Sequence, residues 1–207
     1  MESALCGTEP GLTLIETLLW DGAVFVRLPL HLARLEASAA LLGWPCAGAE
    51  AALRAATPDR PARMRLTLDA GGQIAVTVAH KPAPLAQWRL GQAEARLHSA
   101  DPWLRIKSSR RAVYDTARAS LPAGLDEVIF LNERGEVCDG TITTLFFDAG
   151  AGLCTPPVSC GLLPGVLRAA MLARGCREEV LNAEMLPLAR LWLGNSLRGL
   201  GPAVWAG

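Results

Sequence analysis

The chain has 207 residues, with 20 basic and 20 acidic side chains and a formal net charge of zero. Apolar residues make up 51%, enough for one large domain or two small lobes with buried cores. No basic run supplies an electrostatic footprint for nucleic acid, and no stretch of about 18 uninterrupted apolar residues offers a membrane span.

Met1-Glu2-Ser3-Ala4 lack the basic region and apolar core of a signal peptide, so a cytoplasmic protein is expected. Residues 12–20 partly alternate apolar with polar and reach Asp21-Gly22, a turn signal; with residues 23–27 they predict a β-hairpin. Pro29 opens a helical pattern. Leu32, Leu35, Ala39 and Leu42 recur at helical spacing until Gly43 stops them. A second helix is expected over residues 47–56. Residues 63–68 and 73–79 alternate on either side of Asp69-Ala70-Gly71-Gly72 and predict another hairpin. The first half therefore reads as α+β with an antiparallel sheet.

Lys81-Pro82-Ala83-Pro84 is stiff and unsuited to strand pairing. It predicts a boundary between a small lobe over 1–82 and a second lobe over 83–207. In the second lobe, strands are expected over 88–97 and at the end of the apolar run Trp103-Leu104-Arg105-Ile106-Lys107, followed by a helix over 109–120. Residues 126–131 and 136–139 flank the turn Asn132-Glu133-Arg134-Gly135. Residues 145–147 and 152–155 form a further strand pair. Pro164-Gly165 opens a helix that Gly175 closes, and residues 189–194 give a last strand.

Six cysteines (Cys6, Cys46, Cys138, Cys154, Cys160 and Cys176) show no metal-type spacing and read as reduced, mostly buried thiols. His31, His80 and His98 are scattered, so no metal site is expected. The basic residues are more telling. Eighteen are arginine and only two are lysine, Lys81 and Lys107. Arginine stays protonated, whereas a lysine amine can lose its proton and attack a carbonyl. Lys81 precedes Pro82 in the linker, which leaves Lys107 as the candidate nucleophile.

Four segments follow in order: His31-Leu32-Ala33-Arg34-Leu35, Ile106-Lys107-Ser108-Ser109-Arg110, residues 132–145, and Cys160-Gly161-Leu162-Leu163-Pro164-Gly165-Val166-Leu167-Arg168. A fifth, Leu193-Gly194-Asn195-Ser196-Leu197-Arg198-Gly199, closes the series. In this order the set resembles the fold-type IV family of pyridoxal 5'-phosphate (PLP) enzymes, which holds class IV aminotransferases and aminodeoxychorismate lyases. The fifth segment resembles the lyase-like branch. The resemblance implies an α+β fold of two α/β lobes, like that of D-amino-acid aminotransferase, enclosing the cofactor, and a homodimer.

It also implies roles. Lys107 would hold the PLP aldehyde as a Schiff base and later move the substrate α-proton. Asp139, in Cys138-Asp139-Gly140-Thr141, stands where the family places Glu opposite the pyridine nitrogen; it keeps the charge and is one methylene shorter. Arg34, the amides of Val166 and Leu167, and Ser196 would bind the phosphate. Thr144 replaces the family's Asn before Leu145-Phe146. Thr17 would lie near the substrate, and Arg198 would take a substrate carboxylate. Without the resemblance, Asp139 is a turn residue and Arg34 an ordinary helix arginine. Arg110 and Arg111 could equally pair with carboxylates such as Asp115.

Three functional readings follow from the resemblance. The first is a 4-amino-4-deoxychorismate lyase giving 4-aminobenzoate and pyruvate for folate synthesis. The second is an amino-acid aminotransferase of the branched-chain or D-amino-acid kind. The third, prompted by Asp139 and Thr144, is a non-catalytic homologue with weakened PLP binding.

Overall fold

A computed structural model describes Leu5 and residues 7–207. Cys6 and Met1-Glu2-Ser3-Ala4 lie outside the described residues. The chain divides into two compact units: Met1–Ala83 with Ile106–Arg110, and Pro84–Arg105 with Arg111–Gly207. The segment bearing Lys107 returns to the first unit instead of staying with the second.

The first unit holds an antiparallel sheet of β1 (Thr13–Trp20), β2 (Ala62–Asp69) and β3 (Ile74–His80), in that order, with helices α1 (Leu28–Leu42) and α2 (Ala49–Ala55). Strand β2 buries every second residue, Ala62, Met64, Leu66 and Leu68, as period-two geometry requires of a half-buried strand. Helix α1 carries Pro29 in its first turn and ends at Gly43, whose φ of 70° only glycine adopts readily. Leu14, Leu18, Leu35 and Leu53 are fully buried in this unit.

Two expectations change here. The predicted strand over 23–27 shrinks to one bridge, Trp20 with Phe25. Asp21 Oδ1 accepts the amides of Ala23 and Val24, and the chain enters α1 at once through Arg27. The Lys107 segment is not the end of a strand in the second lobe. Residues Pro102–Arg105 form a 3-10 turn, started by Asp101 Oδ1 accepting the Trp103 amide at 2.9 Å. The chain then runs along β1. Ile15 N–H donates to Lys107 O and Ser109 N–H to Thr13 O, both at 2.8 Å, around a Leu14–Ser108 bridge. These bonds to the free edge of β1 are what draw the segment to the first unit.

The second unit is built on an eight-stranded mixed sheet. Its strands are β4 (Trp88–Leu97), β5 (Glu127–Asn132), β6 (Val137–Gly140), β7 (Thr144–Asp148), β8 (Cys154–Thr155), β9 (Arg177–Glu178), β10 (Arg190–Asn195) and β11 (Gly199–Trp205). They run in the order β6-β5-β4-β11-β10-β7-β8-β9. Helices α3 (Ala112–Ala119) and α4 (Val166–Leu172) complete it. All of β5 is buried. Ile129 and Leu131 join one core cluster with Trp88, Leu90, Phe147 and Leu193; Val128 and Phe130 join another with Leu97, Cys138 and Leu162. A strand covered on both faces reads as a continuous apolar run, as this one does.

Strand β11 escapes a sequence reading because Gly199, Gly201 and Pro202 interrupt its pattern. Pro202 nonetheless fits, since pairing with β4 begins only at Ala203. A side chain at Gly201 would meet the Trp88 indole nitrogen at 3.2 Å. The described cysteines, Cys46, Cys138, Cys154, Cys160 and Cys176, are free, and all but Cys46 are buried. No helix among the described residues is long and apolar enough to cross a membrane.

Candidate active site

In the first unit the polar residues gather on Glu16. Leu14, Glu16 and Leu18 share one face of β1, and Glu16 is only 2% exposed. His31 and Arg34, one helical turn apart on α1, reach it together. Arg34 grips the carboxylate with two parallel bonds, Nε to Oε1 at 2.8 Å and Nη2 to Oε2 at 2.7 Å. His31 Nδ1 lies 2.6 Å from Oε2. Burial alone would raise the Glu16 carboxyl, but the His31 hydrogen bond and the Arg34 charge outweigh it and hold the group below its usual range. Burial, aided by the charges of Arg34 and Lys107, overcomes the pull of Glu16 and lowers the His31 pKa. The ring is therefore neutral at neutral pH, and its contact with Glu16 is a hydrogen bond donated from Nδ1 rather than an ion pair.

Lys107 belongs to this unit, bonded through its backbone carbonyl to β1 one residue before Glu16 and close enough for its charge to be felt at His31. Arg34 thus pairs with Glu16, and Lys107 is joined by its backbone to the adjacent residue of the same strand. Thr17 follows Glu16 on the strand, so alternation turns it to the opposite face.

In the second unit the candidates cluster around the turn joining β6 to β7. Asp139 and Thr144 stand on either side of it, both buried. Asp139 Oδ1 is sealed from solvent without a hydrogen bond to protein, although the residue takes part in other interactions. Thr144 pairs in register with Gly194. A side chain at Gly194 would strike Gly199 O at 2.4 Å and Leu167 Cδ2 at 2.6 Å, and one at Gly165 would meet Thr144 Oγ1 at 3.0 Å. Glycine at 165 and 194 is what lets Thr144, the start of α4 and the end of β10 pack side by side. Val166 and Leu167 open α4 behind Gly165, which contributes no side-chain cap.

Ser196 is buried in the turn after β10. Asn195 folds that turn: its Oδ1 accepts the amides of Leu197 and Arg198 at 3.1 and 2.9 Å, while its Nδ2 donates to Ile142 O at 3.0 Å. The guanidinium of Arg198 lies over the Trp88 ring, 5.6 Å from its centroid. Arg110 comes within 3.9 Å of Glu9. Arg111 bonds Asp115 at 2.7 Å and Thr141 O at 3.0 Å.

Sequence reasoning passed over Glu16, Glu127 and Asn195. Glu16 left one signal, a charged residue at an inward position of the Leu14–Leu18 alternation. Asn195 lay inside a quoted motif without a role. Glu127 gave no signal. Among the described residues, no three His, Cys, Asp or Glu side chains form a metal cage.

The donor set fits PLP. By residue type it offers an amine for an aldehyde, Lys107, and a buried carboxylate for a ring nitrogen, Asp139. An arginine and buried hydroxyls are available for a phosphate.

Comparison with known proteins agrees. A curated relative from Schizosaccharomyces pombe, "Putative aminodeoxychorismate lyase", is 32% identical over 177 residues, covering 80% of this chain and 75% of that protein. A crystal structure from Mesorhizobium loti, "Putative amino-acid aminotransferase", is 44% identical, with a TM-score of 0.87 over 94% of this chain and 100% of that one. The 4-amino-4-deoxychorismate lyase of Pseudomonas aeruginosa is 25% identical, with a TM-score of 0.78 over 93% and 82% of the two chains. The architecture is the α+β, two-lobed, fold-type IV PLP-dependent one. The model of the amino-transferase class IV family matches residues 13–204, and the chain belongs to that family of PLP-dependent aminotransferases and lyases.

Proposed function

We propose that this protein is a 4-amino-4-deoxychorismate lyase, splitting its substrate into 4-aminobenzoate and pyruvate in the folate pathway. The observation that carries the reading is the turn Asn195-Ser196-Leu197-Arg198, which resembles the lyase-like closing motif and which Asn195 folds with two hydrogen bonds and ties to Ile142 O with a third. The names of the Schizosaccharomyces pombe and Pseudomonas aeruginosa relatives support it. The protein is proposed to be a cytoplasmic homodimer.

When bound, PLP supplies an electron sink for the charge left by proton removal. The residues of this chain do the rest. Lys107 would hold the aldehyde, and its amine, once freed, would take the proton from the carbon bearing the substrate amine and return one to the methylene of the enolpyruvyl group released by C–O cleavage. Asp139 keeps the ring nitrogen protonated. Arg34, with its orientation set by Glu16, binds the phosphate together with the Val166 and Leu167 amides and Ser196. Thr144 lines the cofactor pocket. Arg198, steadied against Trp88, receives a substrate carboxylate, and Thr17 lies beside the substrate.

A second reading, an amino-acid aminotransferase, is favoured by the name of the Mesorhizobium loti structure, whose whole length this chain matches. The test is to incubate the PLP-loaded protein with 4-amino-4-deoxychorismate and follow pyruvate by coupled reduction to lactate. Pyruvate release is expected. No pyruvate, together with amino-group exchange between an amino acid and 2-oxoglutarate, would establish the second reading instead.

A further inference from the structure

Glu127 is the most enclosed carboxylate of the second unit, with no exposed surface at all. It belongs to β5, outside every motif that points to the cofactor. Its two oxygens collect donors from the turn between β6 and β7. Oε1 accepts the Thr141 amide at 3.0 Å and the Thr141 hydroxyl at 2.6 Å; Oε2 accepts the Ile142 amide at 3.2 Å and the Thr143 hydroxyl at 3.0 Å. The Val128 amide adds a fifth bond at 3.1 Å, and the nearest cation, Arg118 Nη1, stands off at 3.7 Å.

The turn is shaped around this group. A side chain at Gly140 would meet Thr143 Oγ1 at 2.5 Å and Glu127 Cδ at 3.0 Å, so residue 140 must be glycine for the carboxylate to sit there. Gly140 N–H also closes on Thr143 O at 2.8 Å. The fixed turn has Asp139 immediately before it and Thr144 immediately after it. A buried carboxylate that satisfies four groups of one short turn determines the backbone path of that turn, because any other path strands several donors in a dry interior.

We propose that Glu127 is a positioning residue, which locks residues 140–143 and thereby aims the Asp139 carboxylate at the cofactor ring nitrogen. The inference rests on the role given to Asp139 above and adds the group that sets its direction. The shorter Asp side chain makes the aim more demanding. With one methylene fewer than Glu, it reaches its target only if the backbone delivers it.

The experiment uses the PLP-loaded protein and reads two quantities that fold loss alone would not move together: the PLP dissociation constant and the pH midpoint of the bound-PLP absorbance band. Glu127→Gln keeps the shape but turns one acceptor into a donor facing the turn. It is expected to weaken PLP by about tenfold, of the order of one or two lost buried hydrogen bonds, and to move the midpoint in the same direction as Asp139→Asn. Thr143→Val, which removes one hydroxyl donor, should do the same by about threefold and serves if Glu127→Gln fails to fold. The double variant Glu127→Gln, Asp139→Asn should bind PLP no more weakly than Asp139→Asn alone, because the two act as one unit. Fully multiplicative effects, or an unmoved midpoint in both Glu127→Gln and Thr143→Val, would overturn the proposal while leaving the role of Asp139 intact. An unmoved midpoint in Asp139→Asn would remove that role itself, and the proposal with it.

Discussion

Among the described residues each unit buries one glutamate, and the two are held differently, although Arg118 stands 3.7 Å from Glu127. Glu16 is met by the charge of Arg34 on both oxygens and by the neutral His31 ring on one. Glu127 is met by neutral donors, two backbone amides and two hydroxyls of a single turn, plus its neighbour's amide. The first arrangement fixes a long, flexible cation and responds to pH. The second fixes a stretch of backbone. In the role proposed for Arg34, a guanidinium that grips a phosphate would need its direction set without losing its charge, and a carboxylate across one edge does that. In the role proposed for Asp139, a short side chain that meets a ring nitrogen would need its main chain held, and dispersed neutral donors to Glu127 do that.

The largest effect expected tests what the charged cluster serves. Lys107→Ala should abolish borohydride-fixed labelling by PLP and lower turnover at least about 1,000-fold, on the scale expected when a covalent and proton-transfer group is lost. Circular dichroism should be unchanged, since the Lys107 backbone bond to Ile15 is kept. If labelling instead moved to Lys81 with activity retained, the charged cluster would have another purpose.

Next in size is the cost of emptying each site. Glu16→Ala leaves an arginine only 12% exposed with its buried partner gone. Removing one member of such a pair costs about 3–5 kcal/mol, readable from urea unfolding, and PLP affinity should fall with it because Arg34 loses its fixed direction. A loss under about 1 kcal/mol, the range of surface pairs, would show that the charge-paired site behaves as solvated.

Acid probes the charged arrangement more gently. His31 has its pKa lowered by burial from the ordinary 6.5. Below 6.5 the unfolded chain therefore binds a proton that the folded chain refuses, so stability falls as pH drops from 6.5 toward the folded value. Glu16, lowered from 4.5, acts in the same direction but only once the pH passes below 4.5. Between these points the slope should not exceed about 1.4 kcal/mol per pH unit, the limit for one proton. His31→Gln should flatten that upper step and leave the one below 4.5. An identical profile in the variant would assign the step to another group.

How far the sequence revealed this comparison depends on how local each arrangement is. Helix α1 was legible from Pro29 and Gly43, and the β2–β3 hairpin from its alternation around the Asp69 turn. Lys107 stood out because eighteen of the twenty basic side chains are arginine. Its place beside β1 was not legible, since the 3-10 turn at Pro102–Arg105 redirects the chain, and nothing in the run 103–107 announces it. Strand β11 was hidden because a packing demand, room for the Trp88 indole, put Gly201 where a strand pattern would show a side chain. Glu127 was hidden for a deeper reason. Its partners are backbone amides and hydroxyls 14 to 16 residues away, and such donors exist in every sequence.

The smallest effect compares inside with outside at the same turn. Arg111 Nη2 donates to Thr141 O at 3.0 Å from the outer side, while its Nε pairs with Asp115, which is 63% exposed. An exposed i,i+4 pair is worth about 0.3–0.5 kcal/mol and weakens with salt, and one part-exposed hydrogen bond adds about 1 kcal/mol at most. Arg111→Ala should therefore change unfolding free energy by about 1 kcal/mol, with part of that lost in high salt, and should change PLP affinity by no more than about twofold. If it matched Glu127→Gln in PLP affinity and band midpoint, the turn would be held from its surface, and the buried carboxylate would be filling space that the guanidinium defines.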